Sequence, residues 1–190
     1  MTPRILAFAG ALRTDSFNKK LIRIGVDGLK AAGADVTLID LRDFPMPIYD
    51  GDIETAGFPE NAVKMKQLFH DHHGLLIAAP EYNRSLSGAL KNTIDWVSRS
   101  TPGEKPLASF ADKIAGLLAA SPGPVGGMRG LMHLREILTH INVLVIPNQT
   151  TIPKAADAFN PDGTLKDEKQ KNSVHAVAKK LVETVAKLRA

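Results

Sequence analysis

Two spacings of apolar residues alternate along the chain. Short, largely apolar runs recur at "RILAFA" (4–9), "ADVTLIDL" (34–41), "GLLIAA" (74–79), "KIAGLLAA" (113–120) and "NVLVIP" (142–147). They have strand length, and the most continuous of them read as strands covered on both faces. Between them the apolar positions follow helical spacing. Leu21, Ile22, Ile24 and Leu29 mark a helix from Ser16 to Ala32, which Gly33 stops. Further helices are predicted over 60–71, over "SGALKNTIDWVSR" (87–99) and over 127–141, where Leu131, Leu134, Ile137, Leu138 and Ile141 point one way. A last one carries Val174, Val177, Ala178, Leu181, Val182, Val185 and Leu188. The stretches 42–61, with three prolines, and 148–165 read as long loops.

Strand and helix therefore alternate five times. That order predicts parallel strands, right-handed crossovers and an α/β doubly wound, three-layer sandwich with strand order 2-1-3-4-5. No repeat or linker divides residues 1–190, so one domain is expected. In such sheets a ligand binds beyond the carboxyl ends of the strands, where the strand order reverses. Here that point lies between the first and third strands. The loops leaving them, "GALRTDSFN" (10–18) and "PEYNRSLSG" (80–88), are the two most polar strand-to-helix junctions in the chain.

Composition narrows the choices. Of 190 residues 44% are hydrophobic and 23% charged, which suits a globular fold, and no apolar stretch reaches the roughly 20 residues that span a bilayer. No signal-peptide pattern is present, so a cytoplasmic setting is expected. Cysteine is absent, which excludes disulfides, thiol nucleophiles and thiolate metal sites. The net charge is +4, but the basic residues are scattered and aromatics are only 5%. Attraction for anionic small molecules is expected rather than nucleic-acid binding.

The loops carry the chemistry. In the first, Gly10 permits a tight exit, Ser16 can cap the helix, and Asn18 sits at its first turn. Helix N–H groups with Ser16, Asn18 and Arg13 make an anion site, although plain N-capping with Arg13 in solvent explains the same residues. Neither a dinucleotide fingerprint nor a Walker loop is present. In the second loop, Pro80, Glu81, Tyr82 and Asn83 offer a stiff backbone, polar groups and a flat ring, more than a helix cap needs. The third, "SPGPVGG" (121–127), is a Gly/Pro turn whose bare backbone would let a ring system approach.

"GALRTDSFNKKL", "PEYNRSLSGALKNTIDW" and "SPGPVGGMRGLMHLREIL", in this order and spacing, resemble the NADPH-dependent FMN reductase family of flavodoxin-like quinone, azo-dye and chromate reductases. The likeness covers about residues 4–147, and P-E-Y-N followed by G-x-L-K-N-x-I-D-W is its most specific part. The resemblance implies non-covalent FMN with NADPH or NADH as co-substrate, and ping-pong transfer of hydride to a small-molecule electron acceptor. It implies that Arg13, Ser16 and Asn18 hold the phosphate within the segment Gly10, Ala11, Leu12, Arg13, Ser16, Phe17, Asn18. Pro80, Glu81, Tyr82 and Asn83 would line the isoalloxazine, with Ser121 and Gly123 on its pyrimidine side. It also implies a homodimer or homotetramer, with 42–58 and 148–165 as contact candidates and Tyr49 near the acceptor. No catalytic side chain is expected, because the flavin carries the chemistry. The alternative is a flavodoxin-type electron carrier without NAD(P)H turnover; a flavin-free nucleotide-binding regulator is a third reading.

Two positions depart from the family pattern. Ala11 stands where a serine is usual, removing a hydroxyl from the phosphate loop. A hydrogen bond to a charged group contributes about 1.5–3 kcal/mol, so FMN would bind about 10- to 100-fold more weakly unless Thr14 substitutes. Ser87 stands where proline is usual, which costs rigidity but keeps a cap. "HDHH" (70–73) lacks the companions of a metal site, Lys91 and Asp95 read as a surface ion pair, and Trp96 reads as core or subunit contact.

Overall fold

The computed structural model describes residues 1–189. Five parallel strands form the main sheet: β1 (Arg4–Ala9), β2 (Asp35–Asp40), β3 (Gly74–Ala78), β6 (Ile114–Ala120) and β7 (Leu144–Ile152). Their order is β2-β1-β3-β6-β7, which is the expected 2-1-3-4-5 once only sheet strands are counted. Two short strands, β4 (Glu81–Tyr82) and β5 (Ser85–Leu86), pair as a separate antiparallel hairpin.

Side chains alternate across the sheet, as a period of two requires. Ile5, Ala7 and Ala9 of β1, with Leu76, Ala78 and Leu118, are buried under α1 (Phe17–Ala31) and α7 (Glu168–Leu188). Leu6 and Phe8, with Leu75, Ile77 and Leu117, are buried on the other face under α3 (Glu60–Asp71), α4 (Gly88–Val97) and α5 (Met128–His140). Both faces are covered, which is why these strands read as continuous apolar runs.

The two predicted loops are more structured than expected. Residues 42–61 contain the end of a 3-10 turn (Leu41–Asp43) and a short helix, α2 (Gly51–Ala56). Asp50 caps α2 by accepting from the Asp52 N–H at 2.8 Å. Pro47 accepts the indole N–H of Trp96 at 2.8 Å, so Trp96 is a buried anchor of the core. At the other site, β7 does not stop at Pro147. Ala115 pairs with Val145 but Leu117 with Gln149, so the edge strand bulges past the proline and continues to Ile152. The short helix α6 (Ala155–Ala158) and a bridge between Phe159 and Leu165 follow.

Candidate active site

The carboxyl ends of β1, β3 and β6 lie side by side, and the loops leaving them converge. The first leaves β1 at Gly10, whose N–H continues the ladder to Ala78 O at 2.9 Å. A Cβ at Gly10 would lie 2.9 Å from Leu90, so only glycine lets α4 pass this close. Ala11 is buried, Leu12 half exposed, and Ser16 caps α1 by accepting from the Asn18 N–H at 3.2 Å. Among the described residues, the backbone N–H groups of residues 11–15, Phe17 and Lys19 donate to no other group. A strand-to-helix junction with this many free donors, at the positive end of a 15-residue helix, is a cradle for an anion. The Arg13 guanidinium lies 5.8 Å above the Phe17 ring at its rim.

Three ties hold the loops in register. The Asn18 amide donates to Ala120 O and accepts from Ala120 N–H, both at 2.9 Å, so both ends of its buried side chain are engaged by the end of β6. Asn18 thus contributes position to the junction, and one of its two amide N–H groups has no partner among the described residues. Ser87 caps α4 by accepting from Leu90 N–H and donates its hydroxyl to Gly10 O at 2.5 Å. A proline could do neither. Glu81 accepts the Gly130 N–H at 3.0 Å and so fixes the hairpin against the first turn of α5. Lys19 braces the first loop from below, reaching Leu12 O at 3.4 Å and the Asp40 carboxylate at 2.6 Å. Burial works against the Asp40 charge, but the Lys19 ammonium and the Arg42 N–H outweigh it and keep the carboxyl below its usual range. Thr14, the possible substitute for the missing serine hydroxyl, is bonded by the Arg42 guanidinium.

The crowded polar segment after β3 now divides by task. Asn83 (φ 51°) and Arg84 (φ 65°) are both left-handed, the conformation of a type I′ turn, and they close the β4–β5 hairpin. Glu81 and Ser87 make the ties above, and Ser85 Oγ sits 3.0 Å from His133 Nδ1. Tyr82, 54% exposed, and Arg84 make no side-chain hydrogen bond to described residues.

The third loop differs from its expected open backbone. Ser121 N–H donates to Ile152 O at 3.1 Å, Ala155 N–H to Ser121 O at 3.0 Å, and Lys154 N–H to Gly123 O at 3.2 Å. Gly126 (φ 64°) is bare because a Cβ there would lie 2.8 Å from the Ile152–Pro153 backbone. Gly123 alone faces open space, its nearest neighbour for a Cβ being Ser121 Oγ at 3.7 Å.

Sequence reasoning missed Lys19, Asp40 and the Ser87–Gly10 link. The first two had a signal: a lysine on the sheet-facing side of a helix and an aspartate closing a strand need each other. The histidines have structural partners. His70 bonds Glu104 at 3.0 Å, His72 joins Leu68 O to Thr37, and His73 Nδ1 accepts from Arg4 N–H at 3.2 Å. Lys91 and Asp95 pair at 2.7 Å on the surface of α4. Tyr49 donates to Glu54 at 2.6 Å and packs edge-on to Trp96.

The chain is similar to known proteins over nearly its whole length. Residues 3–157 match the family model described as NADPH-dependent FMN reductase. An NAD(P)H-dependent FMN reductase of Pseudomonas aeruginosa is 34% identical over 187 residues, covering 98% of this chain and 97% of that protein. An NAD(P)H:quinone oxidoreductase of Solanum tuberosum is 31% identical over 98% of this chain and 94% of its own length. Among solved structures, a flavoenzyme NAD(P)H:(acceptor) oxidoreductase from Paracoccus denitrificans superposes with a TM-score of 0.83 at 27% identity, covering 98% of both chains.

Proposed function

This chain belongs to the NADPH-dependent FMN reductase family, and we propose that it reduces small quinone-type acceptors by a ping-pong cycle at the carboxyl edge of its sheet. It is an oxidoreductase with FMN as cofactor and NAD(P)H as co-substrate. FMN, when bound, would supply the two-electron chemistry that links NAD(P)H to the acceptor. The chain supplies binding, orientation and a dry floor.

The observation that carries this reading is the run of free N–H groups at residues 11–15, Phe17 and Lys19. A phosphate monoester fits such a cradle, with Ser16 ordering the first turn of α1 and Arg13 adding a mobile positive charge. Gly10, Ala11 and Leu12 shape the loop, Phe17 closes its side, and Asn18 holds it to β6. Pro80, Glu81, Tyr82 and Asn83 form the rigid wall for the flavin ring, and Ser121 and Gly123 its opposite rim. Tyr82 is the exposed flat surface against which a nicotinamide or a quinone can rest. Azo compounds, chromate and free flavin are acceptors of the same open face.

A second subunit belongs to this reading. Ile48, 84% exposed, and Ile53 make 42–58 an apolar contact surface. The rival carrier reading is disfavoured by the reductase relatives and by the net charge of +4.

The test is to record the visible spectrum of the protein after adding FMN, then add NADPH without oxygen, then a benzoquinone. A flavin spectrum that bleaches and returns is expected. A spectrum that NADPH leaves unchanged would overturn the reductase reading, and failure to retain FMN would overturn the phosphate cradle.

A further inference from the structure

The opposite end of the sheet gathers cations that the chemistry above does not use. Arg4 opens β1, His73 precedes β3, Lys113 precedes β6, and Arg189 follows α7. Lys113 and Arg189 line a cleft of about 430 Å³ together with Asp112, Asn142, Leu144 and Leu188. Lys113 is only 5% exposed, yet its ammonium makes no hydrogen bond and no ion pair with any described residue. Leu144 and Leu188 are 51% and 62% exposed and form an apolar lip.

Cations near helix C-termini are ordinary, since they complement the helix dipole. Arg189 follows α7 in this way, and its guanidinium also donates to Asp112 O, in the turn before β6, at 2.9 Å. Lys113 does not, because no terminal carbonyl accepts from it. The stem of Lys113 is buried while its ammonium opens to the cleft, so a bound anion would supply there the partner that the ammonium lacks among the described residues. Two groups register the net positive field of the described residues. Burial, then Arg189 and Arg4, lower the Lys113 pKa to about 8, against a smaller opposing pull from Asp112 and Asp71. Burial, then Arg4, Arg189, Lys113 and His72, push His73 down as well.

We propose that this cleft is a second anion site, in which Lys113 and Arg189 hold the head group of a small amphipathic organic anion whose apolar body lies on Leu144 and Leu188. A monoanionic or dianionic head on a ring or short chain fits: an aryl or alkyl phosphate or carboxylate. The Asn142 amide can donate to the same head group, and Asp112 on the rim disfavours an anion charged at both ends. The site lies at the amino edge of the sheet and does not depend on the flavin reading.

The experiment uses FMN-saturated protein, so that the loop at 10–16 is already filled, and follows backbone amides by NMR while phenyl phosphate is added. Saturable shifts at residues 112–114, 142–144 and 188–189 are expected, with inorganic phosphate binding more weakly. Lys113→Met and, separately, Arg189→Gln should each weaken phenyl phosphate by about 10-fold or more. Arg189 is at the surface, so its variant decides the matter if Lys113→Met does not fold. Shifts confined to 10–18 and 80–84, shifts that persist in the variants, or equal binding of inorganic phosphate would each overturn the proposal.

Discussion

The two edges of one sheet meet negative charge by different means. At the carboxyl edge the donors are backbone N–H groups at residues 11–15 and the start of α1, held in place by side chains that bind each other rather than a ligand. At the amino edge the donors are the side chains of Lys113 and Arg189, set against strand ends whose backbone is already paired. Backbone donors survive every point substitution except one to proline, so the carboxyl edge is vulnerable chiefly through its ties. Side-chain donors can be deleted or titrated one at a time, so the amino edge is vulnerable directly.

The largest break in this contrast should come from Asn18→Leu. It leaves the buried N–H and C=O of Ala120 without partners and should destabilise the fold by about 4 kcal/mol, measured by urea unfolding. Next is the clasp on the loop leading into β6, where Lys66 is buried against Arg99 O and Glu104. Burial works against the Glu104 charge, but bonds from Thr101, Lys66 and His70 hold its pKa down to about 2. A carboxylate with a depressed pKa stabilises the fold above its unfolded value and loses that contribution as pH falls. Up to about 3 kcal/mol should therefore disappear between pH 4.5 and 2, and Glu104→Gln should flatten that part of the unfolding curve. Lys113 gives the same slope in a higher window, but there the charged form is the one that burial disfavours. Its folded pKa is lowered from 10.5 to about 8, so the unfolded chain binds more protons between those values. Stability should rise with pH across that window, and Lys113→Met should abolish the rise.

Smaller effects sharpen the picture. Ser87→Ala removes the hydroxyl between Gly10 O and the α4 cap, and should cost about 1–2 kcal/mol and loosen FMN about 10-fold, measured by flavin fluorescence during dilution. Recovery of tight FMN in Ser87→Thr would assign the effect to the hydroxyl. The smallest is Lys91→Ala, which breaks an exposed pair on α4 and should change stability by about 0.3–0.5 kcal/mol.

The strands and their order were legible because both faces of the sheet are covered, and an alternating βα pattern leaves few topologies. The length of β7 was not, because a proline inside a strand reads as a stop unless the bulge opposite Gly116 is known. The β4–β5 hairpin escaped for a similar reason: its turn residues Asn83 and Arg84 adopt left-handed conformations without a glycine to announce them. In the candidate site, residue types pointed to the three loops, and Ser16 was recognisable as a cap. The engagement of Asn18 with Ala120 was hidden by a separation of 102 residues. Only the folded chain reveals that Gly126 is bare because the Ile152–Pro153 backbone passes against it.

Pro147 has a consequence for how copies of this chain can meet. It sits on the outermost strand, offers no N–H, and lies where the ladder with β6 is interrupted. Strand-by-strand extension of the sheet into a neighbour is therefore blocked along this border. Contact across this border is left to helices and loops, and the chain is guarded on this side against the open-ended stacking that turns sheet proteins into fibres.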